Sequence, residues 1–376
     1  MSEKCPKRAP LPRGIANLGQ SCFMNAVLQG LSSSDYYLPF LECVLDEARL
    51  GGIDCANEMP LCVALRNVLK QLRVNEWNQP PLKPLRLCLL LNSALSDHFH
   101  HFGQEQEDAG EFYMFLTSVV EKERRAAAAR MRAGLKSLVH LFPDVLTQSP
   151  IDGRFMSMTL CGSCNHLAAY RCSLFVVATL PAISSEGEAL TSVKECLDRF
   201  ARTEEIEGAV CEHCHQRVRL RKCMRVLKPP NVLCINLKRK VFDPKLQRPV
   251  KLLHAITTPL FLEMHDHLLA FDCKRKHSAS HAHLKNILRN MLGFDYYHFH
   301  VGRSASSEEG KAMFTYRLAG KIVHVGGASG QGHYTAYRRL DDDSWIFAND
   351  ASVRRASRAE VIKAEGSLLL YEITNK

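Results

Sequence analysis

Two Cys-x-x-Cys pairs, Cys161/Cys164 and Cys211/Cys214, restrict the possible folds of this chain more than any other sequence feature. A turn with this spacing presents two thiolates from one side, and two such turns complete the tetrahedral shell of a structural zinc ion. Forty-six residues separate the two pairs, which is too long a gap for a compact zinc ribbon. We therefore predict long strands that bring the two turns together around one Zn²⁺.

The sequence also offers alternatives to a zinc site formed by these four cysteines. The four cysteines also fit a structural cluster without metal. His166, His213 and His215 lie beside the two pairs and offer imidazole ligands, although such histidines are more often plain surface residues. A histidine-rich stretch at about 263–312 has a composition that can bind metal. It has no recurring ligand spacing, so we interpret it as a solvated, flexible insertion.

A loop near the N-terminus, beginning at Gly14, leads into apolar residues at helical spacing from Cys22 onwards. Ser21 fits the N-cap of that helix. The positive end of the helix dipole favours a thiolate at Cys22, and the amide of Asn17 can fold back to donate to an oxyanion. A nucleophile and an oxyanion donor in one loop suggest acyl transfer. The alternative is that Cys22 is one more small buried residue.

A second candidate for chemistry lies near the C-terminus, where a glycine-rich loop at 326–332 precedes His333 at the start of a predicted strand. The next predicted strand ends at Asn349 and Asp350, which we expect to lie level with the imidazole. A catalytic triad needs a third group that holds the far nitrogen of the imidazole. Asn349 and Asp350 both fit that role, although a lone histidine on a strand is more often structural.

Composition excludes several classes of protein. The 376 residues are 46% hydrophobic, enough for one large core or two ordinary ones. No apolar run approaches the ~18 residues of a membrane span, and the first twenty residues lack the apolar core of a signal peptide. Fifteen cysteines, some in Cys-x-x-Cys pairs, favour reduced thiols and metal ligation, so we expect an intracellular protein of the cytoplasm, the nucleus or both. The net charge of +10 is spread out, without a nucleic-acid-binding block.

Helical and strand patterns divide the chain into two parts. Residues 35–100 have helical apolar clusters interrupted by prolines, and an acidic segment at 102–112 opens another helix. Ala126 to Arg132 is interpreted as a surface helix or helical linker. From residue 155 onwards strands dominate, including a buried strand at 174–181 and a central strand at 226–237.

These motifs resemble, in order along the chain, those of the ubiquitin-specific proteases, cysteine peptidases that remove ubiquitin from proteins. The likeness is strongest in the cysteine box at 14–29 and in the histidine box, which runs from Gly332 through Trp345 to Asp350. The segment 107–112 looks like a variant of the family's Gln-Asp-Ala-His-Glu-Phe, and 367–371 is similar to its closing strand.

The resemblance implies one α+β catalytic domain, a papain-like cysteine peptidase core shaped as a right hand. Residues 14–135 would form an α-helical thumb, 155–225 zinc-bearing β-fingers, and 136–154 with 226–376 a β-palm. Ubiquitin would rest on the fingers with its C-terminal tail between thumb and palm. The implied function is thiol-dependent hydrolysis of the isopeptide or peptide bond after the C-terminal glycine of ubiquitin, with ubiquitinated proteins as partners and an activating partner left open.

The resemblance also assigns roles to residues. Cys22 matches the nucleophile and His333 the general base, while Asn349 matches the third member of the triad. Asn17 matches the oxyanion-hole amide, assisted by the backbone N–H of Cys22. Asp350 matches a second acid that shares the orienting or oxyanion role.

Three further residues, Asp108, Glu111 and Tyr334, would contact substrate, and the two acids would face the basic tail of ubiquitin. Two departures from the family pattern are Gly110, which replaces the usual histidine and is expected to loosen its helix by ~1 kcal/mol, and Ala348, which replaces an aromatic residue. They permit an alternative, a catalytically weak ubiquitin-binding scaffold of the same fold.

Overall fold

The computed structural model describes residues 10–94, 107–134, 146–243, 245–264, 314–326 and 332–374. The expected insertion at 263–312 lies outside these ranges apart from its first two residues. The start of the acidic segment at 102–106 and most of the glycine-rich loop, 327–331, also lie outside them. No helix within the described ranges is long and apolar enough to cross a membrane.

The first part of the described chain is helical, as its apolar spacing predicted. Its helices are α1 (Cys22–Ser32), α2 (Tyr37–Leu50), α3 (Cys55–Glu58), α4 (Pro60–Arg73), α5 (Leu85–Ala94) and α6 (Ala109–Gly134). Every residue of α1 is buried, because α2, α4 and α6 pack around it. Helix α1 is therefore the centre of this layer.

Residues 126–132 are helical, as predicted, and they continue α6. Most of them are exposed, but Ala127, Ala128 and Met131 are buried. Met131 lies directly against Gly51 at the end of α2, where an added Cβ would come within 2.3 Å of its terminal methyl group. The alanines are buried because their small side chains allow close packing between elements.

The second part of the chain forms strands with two short helices. The strands are β1 (Gly153–Cys161), β2 (Leu167–Phe175), β3 (Ala178–Pro181), β4 (Glu204–Val210), β5 (Arg217–Lys228), β6 (Val232–Lys238), β7 (Lys240–Asp243), β8 (Arg248–Lys251), β9 (Phe261–Met264), β10 (Phe314–Val325), β11 (His333–Arg339), β12 (Trp345–Asn349), β13 (Ser352–Ala356) and β14 (Gly366–Ile373). The helices are α7 (Val193–Phe200) and α8 (Arg358–Lys363).

These strands build two sheets and a hairpin. The smaller sheet is antiparallel with the order β2-β1-β5-β4, and the Cys-x-x-Cys turns join its strand ends. The larger sheet has eight strands in the order β13-β12-β11-β10-β14-β6-β3, with β9 paired to β10. Strands β7 and β8 pair only with each other.

Two strands predicted as continuous are each divided. Leu174 is exposed at the end of β2, and the chain then crosses to the larger sheet as β3, parallel to β6. Pro229 and Pro230 separate β5 from β6, because proline has no N–H for a strand ladder. The predicted finger range 155–225 therefore also contains β3 and α7, which pack together at the larger sheet.

Helix α1 lies on the larger sheet at β10 and β11. The approach is close because glycines face each other: a Cβ added to Gly320 on β10 would lie 3.0 Å from the Cα of Gly30 on α1. This packing sets the N-terminus of α1, with Cys22, beside the sheet that carries His333.

Candidate active site

Cys22 is the first residue of α1 and is 4% exposed. Ser21 occupies the N-cap position, as predicted, but its side chain makes no capping hydrogen bond to the helix. The Ser21 hydroxyl instead accepts the N–H of Leu18 at 2.9 Å and donates to Asn17 Oδ1 at 3.1 Å. Its hydrogen bonds are used inside the loop, which they hold in a tight turn before the thiol.

His333 lies at the start of β11, and Asn349 at the end of the neighbouring strand β12. The antiparallel pairing that includes Ala336 and Ala348 brings the two strand ends level. His333 Nε2 is 2.6 Å from Asn349 Oδ1 but 3.9 Å from the nearer carboxylate oxygen of Asp350. Of the two candidates that the sequence left open, Asn349 is therefore the one that holds the ring.

Asp350 instead joins the end of β12 to the loop before Cys22. Its Oδ2 accepts from Asn17 Nδ2 at 2.9 Å, and its Oδ1 accepts from Asn25 Nδ2 at 2.8 Å. Its backbone carbonyl accepts the N–H of Ile15 at 2.8 Å, and its φ is +49°. Three hydrogen bonds thus connect one residue to two parts of the cysteine box.

Asn25 was missed by the sequence reasoning. The available signal was its spacing: it follows Cys22 by three residues and so lies on the same face of the helix. Gly14 is required by the same junction, because an added Cβ would lie 2.3 Å from the backbone oxygen of Ala351.

The Asn17 amide is held at both ends. Its Oδ1 accepts the Ser21 backbone N–H at 3.2 Å and the Ser21 hydroxyl, while its Nδ2 donates to Asp350. The side chain is otherwise exposed. An amide nitrogen carries two hydrogens, so one N–H remains beyond the bond to Asp350.

The acids expected to bind substrate have different environments. Asp108 Oδ1 accepts the backbone N–H groups of Gly110 at 2.8 Å and Glu111 at 3.3 Å at the start of α6. Its Oδ2 accepts from Lys240 Nζ at 3.1 Å and from the buried Tyr334 hydroxyl at 3.4 Å. Burial, followed by the nearby Asp108 carboxylate, raises the pKa of Tyr334. Glu111 is exposed, and no cation in the described part of the chain pairs with it.

Neighbouring residues accommodate the two departures from the family pattern, Gly110 and Ala348. A Cβ at Gly110 would lie 3.0 Å from Asn236 Nδ2, so Asn236 on β6 occupies the space of a side chain there. Ala348 is buried and pairs with Ala336, another small residue, on β11.

The four Cys-x-x-Cys sulfurs all lie within 4.8 Å of one another and can hold a metal ion. Cys161 Sγ is 3.9 Å from Cys214 Sγ, and Cys164 Sγ is 3.7 Å from Cys211 Sγ. The rings of His166 and His213 stack on each other with their centroids 4.8 Å apart. No histidine belongs to the metal-ligating group found in the described ranges.

Comparison with solved structures identifies the fold. The chain resembles Ubp8 in the structure of the SAGA Ubp8/Sgf11/Sus1/Sgf73 DUB module bound to ubiquitin aldehyde, with a TM-score of 0.69 and 21% identity, over 99% of this chain and 71% of that one. A second structure, a SAGA DUB module with a variant of Ubp8 bound to monoubiquitin, gives a TM-score of 0.67 at 21% identity, over 100% and 72% of the chains. The predicted α+β fold of a ubiquitin-specific protease catalytic domain is confirmed.

Comparison with protein sequences agrees with the structural comparison. The chain is 26% identical to ubiquitin carboxyl-terminal hydrolase 30 of Xenopus tropicalis, over 99% of this chain and 83% of the relative. It is 24% identical to ubiquitin carboxyl-terminal hydrolase 27 of Arabidopsis thaliana, over 96% and 85%. The profile of the family described as ubiquitin carboxyl-terminal hydrolase matches residues 13–371. Since that match covers nearly the whole sequence, the chain belongs to the ubiquitin carboxyl-terminal hydrolases, a family of cysteine-type deubiquitinases.

Proposed function

We propose that Cys22, His333 and Asn349 carry out the deubiquitinase reaction of this chain, hydrolysis of the isopeptide or peptide bond after the C-terminal glycine of ubiquitin. The observation that carries the proposal is the 2.6 Å contact between His333 Nε2 and Asn349 Oδ1. It leaves Nδ1, the other ring nitrogen, for proton exchange with a thiol. A neutral amide can orient the imidazole, as in other Cys-His-Asn proteases.

In this mechanism His333 accepts the proton of the Cys22 thiol, and the thiolate attacks the carbonyl carbon of the terminal glycine. Cys22 is the first residue of α1, so a negative charge on its sulfur would lie at the positive end of the helix dipole. Collapse of the tetrahedral intermediate releases the amine, which takes the proton from His333. Water, deprotonated by the same imidazole, then hydrolyses the thioester.

Asn17 is proposed to stabilise the oxyanion with its remaining N–H, together with the backbone N–H of Cys22. Its other N–H and its carbonyl are already bonded to Asp350 and Ser21, so the amide needs little reorganisation during the reaction. Preorganised donors of this kind stabilise the transition state more than the ground state.

Glu111 and Asp108 are both proposed to bind the basic tail of ubiquitin, but in different ways. Glu111 is exposed at the start of α6, which supports a direct ion pair with substrate. Asp108 is already bonded to Lys240 and Tyr334, so a substrate cation must share or displace those contacts.

The metal proposed for the four cysteines is a structural Zn²⁺. Four thiolates at about 2.3 Å from one zinc ion lie about 3.8 Å from each other in a tetrahedron. The distances of 3.7 and 3.9 Å between sulfurs across the two turns support this donor set. Thiolate ligands and a free nucleophilic thiol persist in reducing compartments, so we infer a cytoplasmic or nuclear protein.

The weak-scaffold alternative has little support. It rested on Gly110 and Ala348, and the neighbours Asn236 and Ala336 accommodate both positions. Neither departure removes a group that takes part in the proposed reaction.

An electrophilic ubiquitin probe tests the proposal. The purified chain is treated with ubiquitin vinyl methyl ester, and the adduct is located by peptide mass spectrometry. We expect one adduct, at Cys22, and hydrolysis of a fluorogenic ubiquitin substrate by the untreated chain. Cys43→Ala, which removes an exposed thiol on α2, is the control and should label normally. Labelling of Cys22→Ala at the wild-type rate would contradict the assignment.

A further inference from the structure

We propose that Asn25 is a positioning residue for this reaction, acting through Asp350 on the oxyanion donor Asn17. The inference rests on the proposed function, because it gives Asn25 an effect on the transition state rather than on folding alone. It concerns a residue that makes no contact with the reacting atoms. Two hydrogen bonds join the side chains of Asn25, Asp350 and Asn17.

The first bond fixes the carboxylate. Asn25 is 2% exposed, and its Nδ2 donates to Asp350 Oδ1 at 2.8 Å. The same nitrogen lies 3.5 Å from the carbonyl of Ile15 and 3.4 Å from that of Ala16. A flipped amide would turn its oxygen towards a carboxylate and two carbonyls, so electrostatic repulsion determines the orientation.

The second hydrogen bond extends this constraint from the Asp350 carboxylate to Asn17, the proposed oxyanion donor. Asp350 Oδ2 accepts from Asn17 Nδ2 at 2.9 Å, so each carboxylate oxygen is bonded to one amide. With both bonds in place the carboxylate cannot rotate without breaking one of them. Without Asn25 it is free to turn, and the exposed Asn17 side chain loses a fixed partner.

Stability alone does not account for Asn25. Its Oδ1 is buried with no hydrogen-bond partner in the described part of the chain, which is unfavourable for folding. An apolar side chain of similar volume would avoid that cost but would leave Asp350 Oδ1 without the Asn25 donor. A buried polar group with an unsatisfied atom calls for another explanation, and the bond to Asp350 supplies one.

Asn25→Ala is the first test, measured with a fluorogenic ubiquitin substrate. We expect kcat to fall at least about tenfold with KM unchanged, and by no more than the ~10²–10³-fold expected for loss of an oxyanion donor. In the Asn17→Ala background the same substitution should lower kcat no further. Losses that multiply in the double variant, or an unchanged kcat in the single one, would overturn the proposal.

Asn25→Asp is the second test, because it keeps the shape and removes the donor unless the new carboxyl is protonated. Two adjacent carboxyls raise one another's tendency to hold a proton. The groups that face this position are Asp350, His333 beyond it at 3.9 Å from Asp350, and Cys22 one turn earlier. We therefore compare kcat with the wild type at each pH, so that the pH dependence common to both proteins divides out. The relative kcat should rise as the pH falls; a constant ratio would contradict the proposal.

Gln29→Leu is the matched control, since Gln29 is another buried amide on α1, bonded to the Arg13 carbonyl and to Arg338. It should lower Tm without changing kcat. If Asn25→Ala does not fold, the pH profile of Asn25→Asp decides the question. An inactive wild type with no Cys22 adduct would count against the proposed function, whereas an active wild type with an unaffected Asn25→Ala would count against this inference alone.

Discussion

The candidate active site, where α1 meets the ends of β11 and β12, and the four-cysteine end of the small sheet are stabilised in opposite ways. The candidate active site joins side chains far apart in sequence: Asn17 and Asp350, in direct contact, are 333 positions apart. The large apolar cores of the helices and the eight-stranded sheet support it. At the cysteine end the buried cluster has only Cys161, Cys211 and Val218 at its centre.

This difference indicates what the proposed metal would contribute at the four-cysteine end. Most residues of β2 and β4, the outer strands of the small sheet, are exposed, so they bury little apolar surface. Metal–thiolate bonds supply folding free energy where a core is too small. Changes at the candidate active site should therefore affect turnover with little effect on folding, and changes at the cysteine end should do the reverse.

Loss of the nucleophile should have the largest effect. Cys22→Ala should abolish hydrolysis of a ubiquitin substrate, and His333→Ala should reduce it by at least about 10³-fold. Both variants should keep ubiquitin binding, measured by calorimetry, and a Tm close to that of the wild type. Wild-type hydrolysis by Cys22→Ala would refute the assignment of Cys22 as the nucleophile.

Loss of the oxyanion donor comes second. Asn17→Ala should lower kcat by roughly 10²–10³-fold with little change in KM, because the bond strengthens only in the transition state. Steady-state kinetics separates the two constants. A change confined to KM would instead mean that Asn17 binds substrate.

Charge reversal at Glu111 comes third. Glu111→Lys should raise KM for ubiquitin substrates at least tenfold, since a charge-assisted pair contributes about 1.5–3 kcal/mol. Asp46→Lys, which reverses another exposed acid, on α2, is the control and should leave KM unchanged. An unchanged KM for Glu111→Lys would mean that this acid only stabilises the start of α6.

Loss of a metal ligand should have a small effect on turnover and a large one on stability. The purified chain should contain about one equivalent of zinc, and Cys211→Ser should lose it with a lower Tm and kcat within a few-fold of wild type. Cys223→Ser, on β5 but outside the four-sulfur group, should keep the metal. Full zinc content in Cys211→Ser would move the site elsewhere, with the histidines of 263–312 as the first alternative.

Removing the ion pair between Lys240 and Asp108 should have the smallest effect on hydrolysis. Lys240→Met removes a partly exposed ion pair, of a kind that contributes about 0–1 kcal/mol. The freed carboxylate should bind the basic tail better, so KM should fall by up to about fivefold. A rise in KM would show that Lys240 itself contacts substrate.

Local features were predictable from sequence because they depend on neighbours along the chain. The helix beginning at Cys22, the strand beginning at His333 and the Cys-x-x-Cys turns all follow from short-range spacing. The Ser21 side chain makes no capping bond because its hydroxyl oxygen accepts the N–H of Leu18 in the preceding loop instead. The strands at 174–181 and 226–237 were not recognised as divided, because an apolar run does not reveal which sheet it joins.

The sequence by itself determined which groups are available for chemistry and in what order they occur. Residue spacing left both Asn349 and Asp350 open for the imidazole, and the family resemblance assigned Asn349; only the tertiary structure shows the pairs themselves, with Asn349 on His333, Asp350 between Asn17 and Asn25, and Lys240 on Asp108. The physical reason is the short range of a hydrogen bond. A difference such as 2.6 against 3.9 Å at His333 depends on how strands and helices pack, and local spacing does not contain it.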